Sequence, residues 1–159
     1  SRGWPFPVFV KALVGKSMIA RGYHSHDDLP PNLDDVESVL IQEPVSWAFE
    51  YRAFVRNREV LTISRYATNG QLDLIDRHGL SRDAQQFIER EVVEHLSEQQ
   101  SLVVDVGYIE GKTPDADRRW ALVETNPAWC SGIYGCDPTR VLEVVAASCG
   151  VTELGSELS

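Results

Sequence analysis

The sequence is most informative at Trp120-Ala121-Leu122-Val123-Glu124-Thr125-Asn126-Pro127, taken together with Val103-Val104-Asp105-Val106-Gly107 upstream of it. Both runs are apolar enough to form buried strands, which normally exclude acidic side chains. Glu124 and Asn126 are two positions apart and therefore project from one face of a strand. With Asp105 on a neighbouring strand they could converge on one hard cation, and oxygen ligands of this kind suit Mg²⁺ that bridges nucleotide phosphates. The alternative interpretation is one structural salt bridge and a turn-forming Asn-Pro.

Composition limits the classes of function. The chain has 159 residues, enough for one domain or two small lobes. Its 15 basic and 24 acidic residues give a formal charge of −9, which argues against general nucleic-acid or anionic-membrane binding but allows a local basic pocket. The cysteines form no CxxC pair, no amino-terminal signal segment is recognisable, and no apolar run approaches the ~20 residues of a membrane span. We therefore expect a soluble, cytoplasmic protein.

The start of the chain is unusual for a complete protein. Ser1 to Pro7 contains no initiator Met and leads directly into the apolar run Val8-Phe9-Val10. A chain that begins at a core strand is expected to be a piece of something longer. A processed or tagged start is the alternative.

The order of strand-like and helix-like segments predicts a mixed α+β class with largely antiparallel strands. Phe49 to Val55 and Glu59 to Tyr66 are strand-like runs separated by a polar turn, which is typical of a hairpin. Downstream, Ser81 is the predicted cap of an amphipathic helix. Asp137-Pro138 begins a last helix, which Gly150 ends.

Two lysines stand beside apolar strand residues near the start of the chain. Lys11 and Lys16 are five residues apart on adjoining predicted strands. They could reach the same phosphate chain, because an ammonium group in such a setting usually meets an anion. The alternative is a pair of surface lysines whose stems lie along an edge hairpin.

Two further features could contact a nucleotide or a substrate. The run Val39-Leu40-Ile41-Gln42-Glu43-Pro44-Val45 ends a strand in polar residues and Pro, so it is either a hinge whose backbone pairs with an adenine edge or an ordinary strand end. Arg52 and Arg65 lie on the two arms of the predicted hairpin, and both could point into a cleft and hold a phosphate or a carboxylate. They could instead pair with Glu50 or Glu59 on a solvated face.

A loop follows the Glu-x-Asn pair. Ala128-Trp129-Cys130-Ser131-Gly132-Ile133-Tyr134-Gly135 combines glycines with aromatic residues and fits a structured loop that faces a substrate. Cys130 within it is expected to be a packed thiol rather than a nucleophile, because no His is placed near it in the sequence.

Taken in chain order, these segments resemble the ATP-grasp superfamily. Glu50-Tyr51-Arg52-Ala53-Phe54-Val55 and the run from Val123 to Gly135 are similar, more narrowly, to its R2K clade, named for an Arg and two Lys. The second run contains the pattern Glu-x-Asn-Pro-x-Trp-x-x-Gly-x-Tyr-Gly, which is the most specific part of the resemblance. The resemblance covers roughly Val8 to Cys149.

The resemblance implies an ATP-grasp fold, in which two α+β lobes with mainly antiparallel sheets grip a nucleotide in the cleft between them. The small lobe would span residues 1–45 and the large lobe, with the metal site, residues 46–150, while residues 151–159 would form a tail. By the same resemblance, the functional residues would be Lys11 and Lys16 for the ATP phosphates; Gln42, Glu43 and Val45 for adenine; Asp105, Glu124 and Asn126 for Mg²⁺; and Arg52 and Arg65 for the transferred phosphoryl group or the acceptor carboxylate.

The resemblance also implies a reaction. Members of the family typically phosphorylate a carboxylate with ATP, and an amine then attacks the acylphosphate to give an amide. The expected cofactors are therefore ATP and Mg²⁺, and the expected partners are small-molecule or peptide carboxylate and amine substrates, with no nucleic acid and no membrane. Family members usually carry an amino-terminal domain beside the cleft, and this sequence starts after that domain should have ended. Such a domain, or a partner chain, would complete the site.

Two other classes of function stay open. Val8-Phe9-Val10-Lys11 and Asp105-Val106-Gly107 echo the lysine strand and the metal-binding motif of kinase-like phosphotransferases, although no His-Arg-Asp-type loop lies between the hinge and Asp105. The other class is a non-catalytic module that keeps the fold as a scaffold for interactions. That class predicts no affinity for ATP.

Overall fold

A computed structural model of the chain describes residues 5–13, 18–30, 38–98, 100–109 and 119–151. The chain divides into two compact units, Ser1–Val45 and Ser46–Ser159, and each has its own sheet. No helix within the described ranges is both long enough and apolar enough to cross a membrane.

The first unit is built on a three-stranded antiparallel sheet with the order β2-β1-β3. Its strands are β1 (Val8–Ala12), β2 (Arg21–Tyr23) and β3 (Val39–Gln42). Alternation along β1 buries Val8 and Val10 with Tyr23 in a small core. Lys11, the next residue after Val10, is half buried and pairs in register with Leu40 of β3.

The second unit is built on a five-stranded antiparallel sheet with the order β6-β5-β4-β7-β8. Its strands are β4 (Trp47–Arg56), β5 (Glu59–Thr68), β6 (Gln71–Leu72), β7 (Ser101–Ile109) and β8 (Arg119–Pro127). β4 and β5 form the predicted hairpin, and its turn residues Asn57 and Arg58 have positive φ angles of 51° and 65°, which match the twist of the strands they join. The expected α+β class with mainly antiparallel sheets is confirmed.

A helical segment packs against each face of this sheet. Helix α1 (Ser81–Phe87) continues as a π-helical turn (Ile88–Val92) and a 3₁₀ turn (Val93–His95), and this segment packs on the face that carries Tyr51 and Val104. Helix α2 (Pro138–Ser148) packs on the other face, where Val141 and Val144 contact Phe54 and Val103. The same face also carries Arg52 and Asp105, which lie two residues from Phe54 on β4 and two residues from Val103 on β7.

The starts of the helices show one confirmed and one wrong prediction. Asp137 caps α2, because its carboxylate accepts hydrogen bonds from the backbone N–H groups two and three residues ahead at 2.8 and 3.2 Å. Ser81 is not the cap of α1 but its first helical residue. The carboxylate of Asp76, in the preceding loop, accepts hydrogen bonds from the backbone N–H groups of Leu80 and Ser81. The start of the helix is therefore capped by a residue several positions upstream of it.

Gly107 of β7 makes room for an aromatic side chain. A Cβ atom at this position would overlap the indole ring of Trp47, which lies against the strand where any side chain of residue 107 would be. The glycine is therefore required by a close approach rather than by its backbone conformation.

Gly107→Ala should lower the free energy of unfolding by about 1–3 kcal/mol, the usual cost of overpacking, as measured by urea denaturation. Trp47→Leu in the same chain should recover part of that loss. Gly132→Ala is the matched control, because its Cβ would meet nothing nearer than 3.8 Å. Equal losses in the single and double variants would contradict the proposed overlap.

Candidate functional site

Polar residues from three strands lie on one face of the second sheet. Arg52 of β4 pairs in register with Asp105 of β7, which pairs in turn with Glu124 of β8. Residues directly opposite each other on neighbouring antiparallel strands point to the same face. Asn126, two residues beyond Glu124, shares that face. The structure thus brings Asp105, Glu124 and Asn126 to one side of the sheet, while their role as metal ligands stays a prediction.

A buried ion pair joins the two adjacent strands β4 and β7. Nε and Nη2 of Arg52 donate to Oδ1 and Oδ2 of Asp105 at 2.8 and 2.6 Å. This two-pronged arrangement is stronger and more directional than a single contact. Asp105 is 1% exposed and Arg52 is 8% exposed, so each charge depends on the other because little water reaches either.

Arg52 is also held by the loop that follows β8. Its Nη1 donates to the carbonyl oxygen of Gly132 at 3.1 Å. Its guanidinium carbon lies 4.8 Å from the ring centroid of Tyr134 and 5.6 Å from that of Tyr66, and the two rings stack on each other at 4.9 Å. A carboxylate, a carbonyl oxygen and two aromatic rings therefore fix the position of one guanidinium group.

Burial dominates the electrostatics of this face. It is the largest effect on Asp105 and raises the pKa of that carboxyl; the Arg52 guanidinium acts in the opposite direction, and the Glu124 carboxylate adds to the rise. The pKa of Glu50 on the same face is also raised, first by burial and further by Asp105 and Glu124, although the hydrogen bond from Tyr66 opposes the change. A cation among these carboxylates would lower the pKa of each.

Glu124 and Asn126 are joined to each other. Nδ2 of Asn126 donates to Oε1 of Glu124 at 3.0 Å, which makes the carbonyl oxygen the atom of Asn126 that could face a cation. Within the part of the chain that the structure describes, no group of three or more His, Cys, Asp or Glu side chains is placed to hold a metal ion. The candidate set has two carboxylates and one amide, so it would need further oxygen ligands from phosphates or water.

The sequence analysis assigned no site role to three residues that surround Arg52, namely Glu50, Tyr66 and Tyr134. The hydroxyl of Tyr66 donates to Oε2 of Glu50 at 2.9 Å, and Tyr66 stacks on Tyr134. Glu50 could have been found from its spacing of two residues from Arg52 on one strand, which places both on one face. Nothing in the sequence shows that Tyr66 and Tyr134 meet, because they are far apart along the chain.

Arg65 lies on the opposite face of the sheet from Arg52, so the expectation that both enter one cleft is wrong. Arg65 pairs with Tyr51, which faces α1. In a regular hairpin Arg65 would pair with Glu50, on the face of Arg52. The register of β4 and β5 shifts by one residue close to the turn, and this bulge moves Arg65 to the other side.

The surroundings of Arg65 are those of a buried structural residue. It is 2% exposed, and its Nη2 donates to Oδ2 of Asp73 at 3.0 Å. Its guanidinium carbon lies 5.6 Å from the ring centroid of Phe49. Nε and Nη1 have no hydrogen-bond partner among the described residues. Arg65 therefore belongs to the packing beneath α1 and not to the polar face.

The other candidates belong to the first unit. Lys11 lies on β1, Gln42 is the last residue of β3, and Glu43 and Val45 are in the irregular segment that follows. Lys16 falls outside the described residues. The roles of all five in nucleotide binding stay predictions.

Arg52→Met and Arg65→Met should differ in their effects on stability. Arg52→Met leaves Asp105 buried without its cation and should lower the free energy of unfolding by about 3–5 kcal/mol. Arg65→Met removes a cation that has two donors without a partner among the described residues, while the side chain of Asp73 is 29% exposed and can be hydrated, so the effect on the free energy of unfolding should stay within about 1 kcal/mol. Urea denaturation at pH 7 measures both, and equally large losses would contradict the assignment.

Glu50→Gln should stabilise the folded chain at neutral pH. The pKa of Glu50 is raised from its ordinary value of 4.5, so the wild type loses stability as the pH rises through the folded value. Glutamine keeps an acceptor for the Tyr66 hydroxyl but does not ionise. The gain in urea midpoint should therefore be present at pH 7 and vanish below about pH 4. A variant less stable than the wild type at pH 7 would show that the charge of Glu50 stabilises this face.

Comparison with known proteins identifies the family. No curated protein matches the sequence significantly. Among solved structures, the "Structure of ATP-grasp ligase PsnB complexed with minimal precursor" is similar at 14% identity and a TM-score of 0.49, over 94% of this chain and 49% of that one, so this chain spans about half the length of that protein. The family model for the ATP-grasp domain, R2K clade family 2, matches residues 1–144. With that match over most of its length, the chain belongs to the R2K clade of ATP-grasp domains and has the ATP-grasp fold.

Proposed function

We propose that the chain is the nucleotide-binding part of an ATP- and Mg²⁺-dependent ligase that joins a carboxylate to an amine through an acylphosphate. The observation that carries the proposal is the sheet face on which Arg52, Asp105, Glu124 and Asn126 lie together. Membership of a family of ATP-grasp domains supports ATP as the bound nucleotide. The products would be ADP and phosphate together with the amide.

Asp105, Glu124 and Asn126 would hold Mg²⁺. Their oxygens are the hard ligands that this ion prefers, and a cation beside Asp105 would oppose the burial that raises the pKa of this carboxyl. When bound, the ion would neutralise charge on the β- and γ-phosphates of ATP. Asp105 and Glu124 sit directly opposite each other on β7 and β8, so the sheet itself would set the spacing of the ligands.

Arg52 would bring positive charge to the acceptor carboxylate. In the first step a carboxylate oxygen of the substrate attacks the γ-phosphorus, and the bond between that phosphorus and the oxygen of ADP breaks. Two anions must approach each other in this step. A guanidinium fixed by Gly132, Tyr66 and Tyr134 would offset their repulsion without having to reorganise. Arg65 has no part in this step because it lies on the other face.

The second step needs no nucleophile from the protein. The nitrogen of the amine would attack the acyl carbon, phosphate would leave with the bonding electron pair, and the nitrogen would lose a proton to a carboxylate or to the departing phosphate. Glu50, half buried on the same face as Arg52, would be a carboxylate that could accept this proton.

Two cysteines of the segment after β8 are assigned no role in the second step. Cys130, which was expected to be packed, is exposed, and its Sγ donates to the carbonyl oxygen of Pro127 at 3.4 Å. Cys136 is buried, and burial raises the pKa of its thiol.

The first unit would supply the remaining contacts to ATP. Lys11 and Lys16 would bind the phosphates, and the segment with Gln42, Glu43 and Val45 would contact adenine. A further domain or a partner chain would complete the site for the two substrates, which would be small molecules or peptides. These assignments rest on family membership and on the lysine and hinge patterns of the sequence.

Mg-ATP should raise the melting temperature of the chain, because a ligand that binds only the folded state stabilises it by mass action. Lys11→Ala with Lys16→Ala, and Asp105→Asn, should each reduce or abolish this shift. Lys112→Ala, which changes the remaining lysine of the sequence, is the matched control and should leave the shift intact. A lysine double variant that binds ATP as well as the wild type would refute the phosphate role.

The nucleotide product tests the reaction class. Incubation of the full-length protein with ATP, amino acids and peptides should release ADP and phosphate. AMP as the product would overturn the phosphoryl-transfer mechanism, and phosphorylated protein hydroxyls would indicate a kinase-like reaction. The absence of any Mg-ATP binding would indicate a non-catalytic interaction module.

A further inference from the structure

The ion pair and the proposed metal site need the same carboxylate. Both oxygens of Asp105 accept from Arg52, at 2.8 and 2.6 Å, and the side chain is almost completely buried. A divalent cation bound to Asp105 would lie beside the guanidinium in a region from which water is largely excluded. Repulsion between the two positive charges would be strong there, because little solvent screens it.

We propose that Arg52 is an exchangeable counter-ion of Asp105: when a divalent cation binds, Asp105 leaves the guanidinium for the cation, and Arg52 stays on the sheet face as an anion-binding group. This inference rests on the proposed function, since it needs Asp105, Glu124 and Asn126 to form the metal site. It adds that the metal-free chain keeps Asp105 neutralised with its own arginine.

Arg52 has contacts that do not depend on Asp105. Nη1 donates to the carbonyl oxygen of Gly132 at 3.1 Å, and the rings of Tyr134 and Tyr66 lie 4.8 and 5.6 Å from the guanidinium carbon. Tyr66 is itself fixed by its hydroxyl, which donates to Glu50 at 2.9 Å. These groups would hold the guanidinium on the face after the carboxylate has turned away.

The exchange would free two donors together. Nε and Nη2, the atoms that now contact Asp105, lie on one edge of the planar guanidinium and form a fork that matches two oxygens of a carboxylate or a phosphate. Anion binding by Arg52 would therefore follow metal binding. The acceptor carboxylate would meet a free fork only in a site that already holds its metal.

The variant Arg52→Lys tests whether the two-pronged hydrogen bond to Asp105, rather than positive charge alone, competes with the metal ion. Lysine keeps the positive charge, but its ammonium is a point charge that cannot hold both oxygens of Asp105 in a fork. If metal and arginine compete, the variant should bind Mn²⁺ roughly tenfold more tightly than the wild type, which corresponds to one lost charge-assisted hydrogen bond. Mn²⁺ titration followed by electron paramagnetic resonance measures the affinity. Arg65→Lys, the same change on the opposite face, should leave it unaltered.

A second measurement uses the wild-type chain and stays decisive if Arg52→Lys does not fold. With ¹⁵N-labelled arginine, the Nε–H signal of Arg52 should be protected from exchange in the metal-free chain, because it donates to a buried carboxylate. Saturating Mg²⁺ should shift this signal and speed its exchange with water. The Nε–H signal of Arg65 should not respond.

The outcomes distinguish this inference from the proposed function. Mn²⁺ binding with no gain in affinity in folded Arg52→Lys, or Mg²⁺ saturation without a change at Arg52 Nε–H, would overturn the exchange and leave the metal site in place. A wild-type chain that binds no Mn²⁺, with or without ADP, would overturn the exchange together with the metal part of the proposed function. Tighter binding in Arg52→Lys with a responsive Arg52 signal supports it.

Discussion

The buried ion pair between Arg52 and Asp105 is the constraint on which the second unit depends. Each charge has little access to water, so each needs the other at hydrogen-bond distance. A slip of one residue between β4 and β7 would turn Asp105 away from Arg52 and towards the apolar cluster under α1. The pair therefore fixes the register of two central strands, and with it the line of residues that continues to Glu124 on β8.

Charged side chains are tolerated on one face of the sheet because the other face forms most of the apolar core of this unit. The face under α1 is apolar along β4 and β7 and provides most of the buried core. On the other face, α2 covers the apolar positions Phe54 and Val103, and the positions beyond them are polar. The polar groups are hydrogen-bonded to one another and to the loop after β8, which limits the cost of removing them from water. On this face, the apolar residues that pack against α2 and the polar residues of the candidate site therefore occupy different stretches of β4 and β7.

Some of this arrangement follows from the sequence, because strand alternation is a local property. The shared face of Glu124 and Asn126, the hairpin and the cap at Asp137 were all predictable from neighbouring residues. The placement of Arg65 was not, since one bulge residue reverses its direction and nothing in the sequence marks the bulge. The cap of α1 failed for a related reason: Asp76 reaches the helix from a loop whose path depends on tertiary contacts, including the hydrogen bond from Tyr51.

Irregular register in this sheet has a consequence for how the chain can vary in length. Tyr66 is an extra residue of β5 at the shift between Glu50 and Tyr51, and Val123 is an extra residue of β8 at the shift between Asp105 and Val106. Residues on either side of such a point keep their faces whether or not the extra residue is present. A deletion of Val123 during evolution would leave Glu124 beside Asp105, whereas a deletion one position beyond Glu124 would turn Asn126 away. The length of β8 is therefore free to change at Val123, whereas the extra residue of β5 is Tyr66, whose ring lies beside Arg52 and whose hydroxyl donates to Glu50.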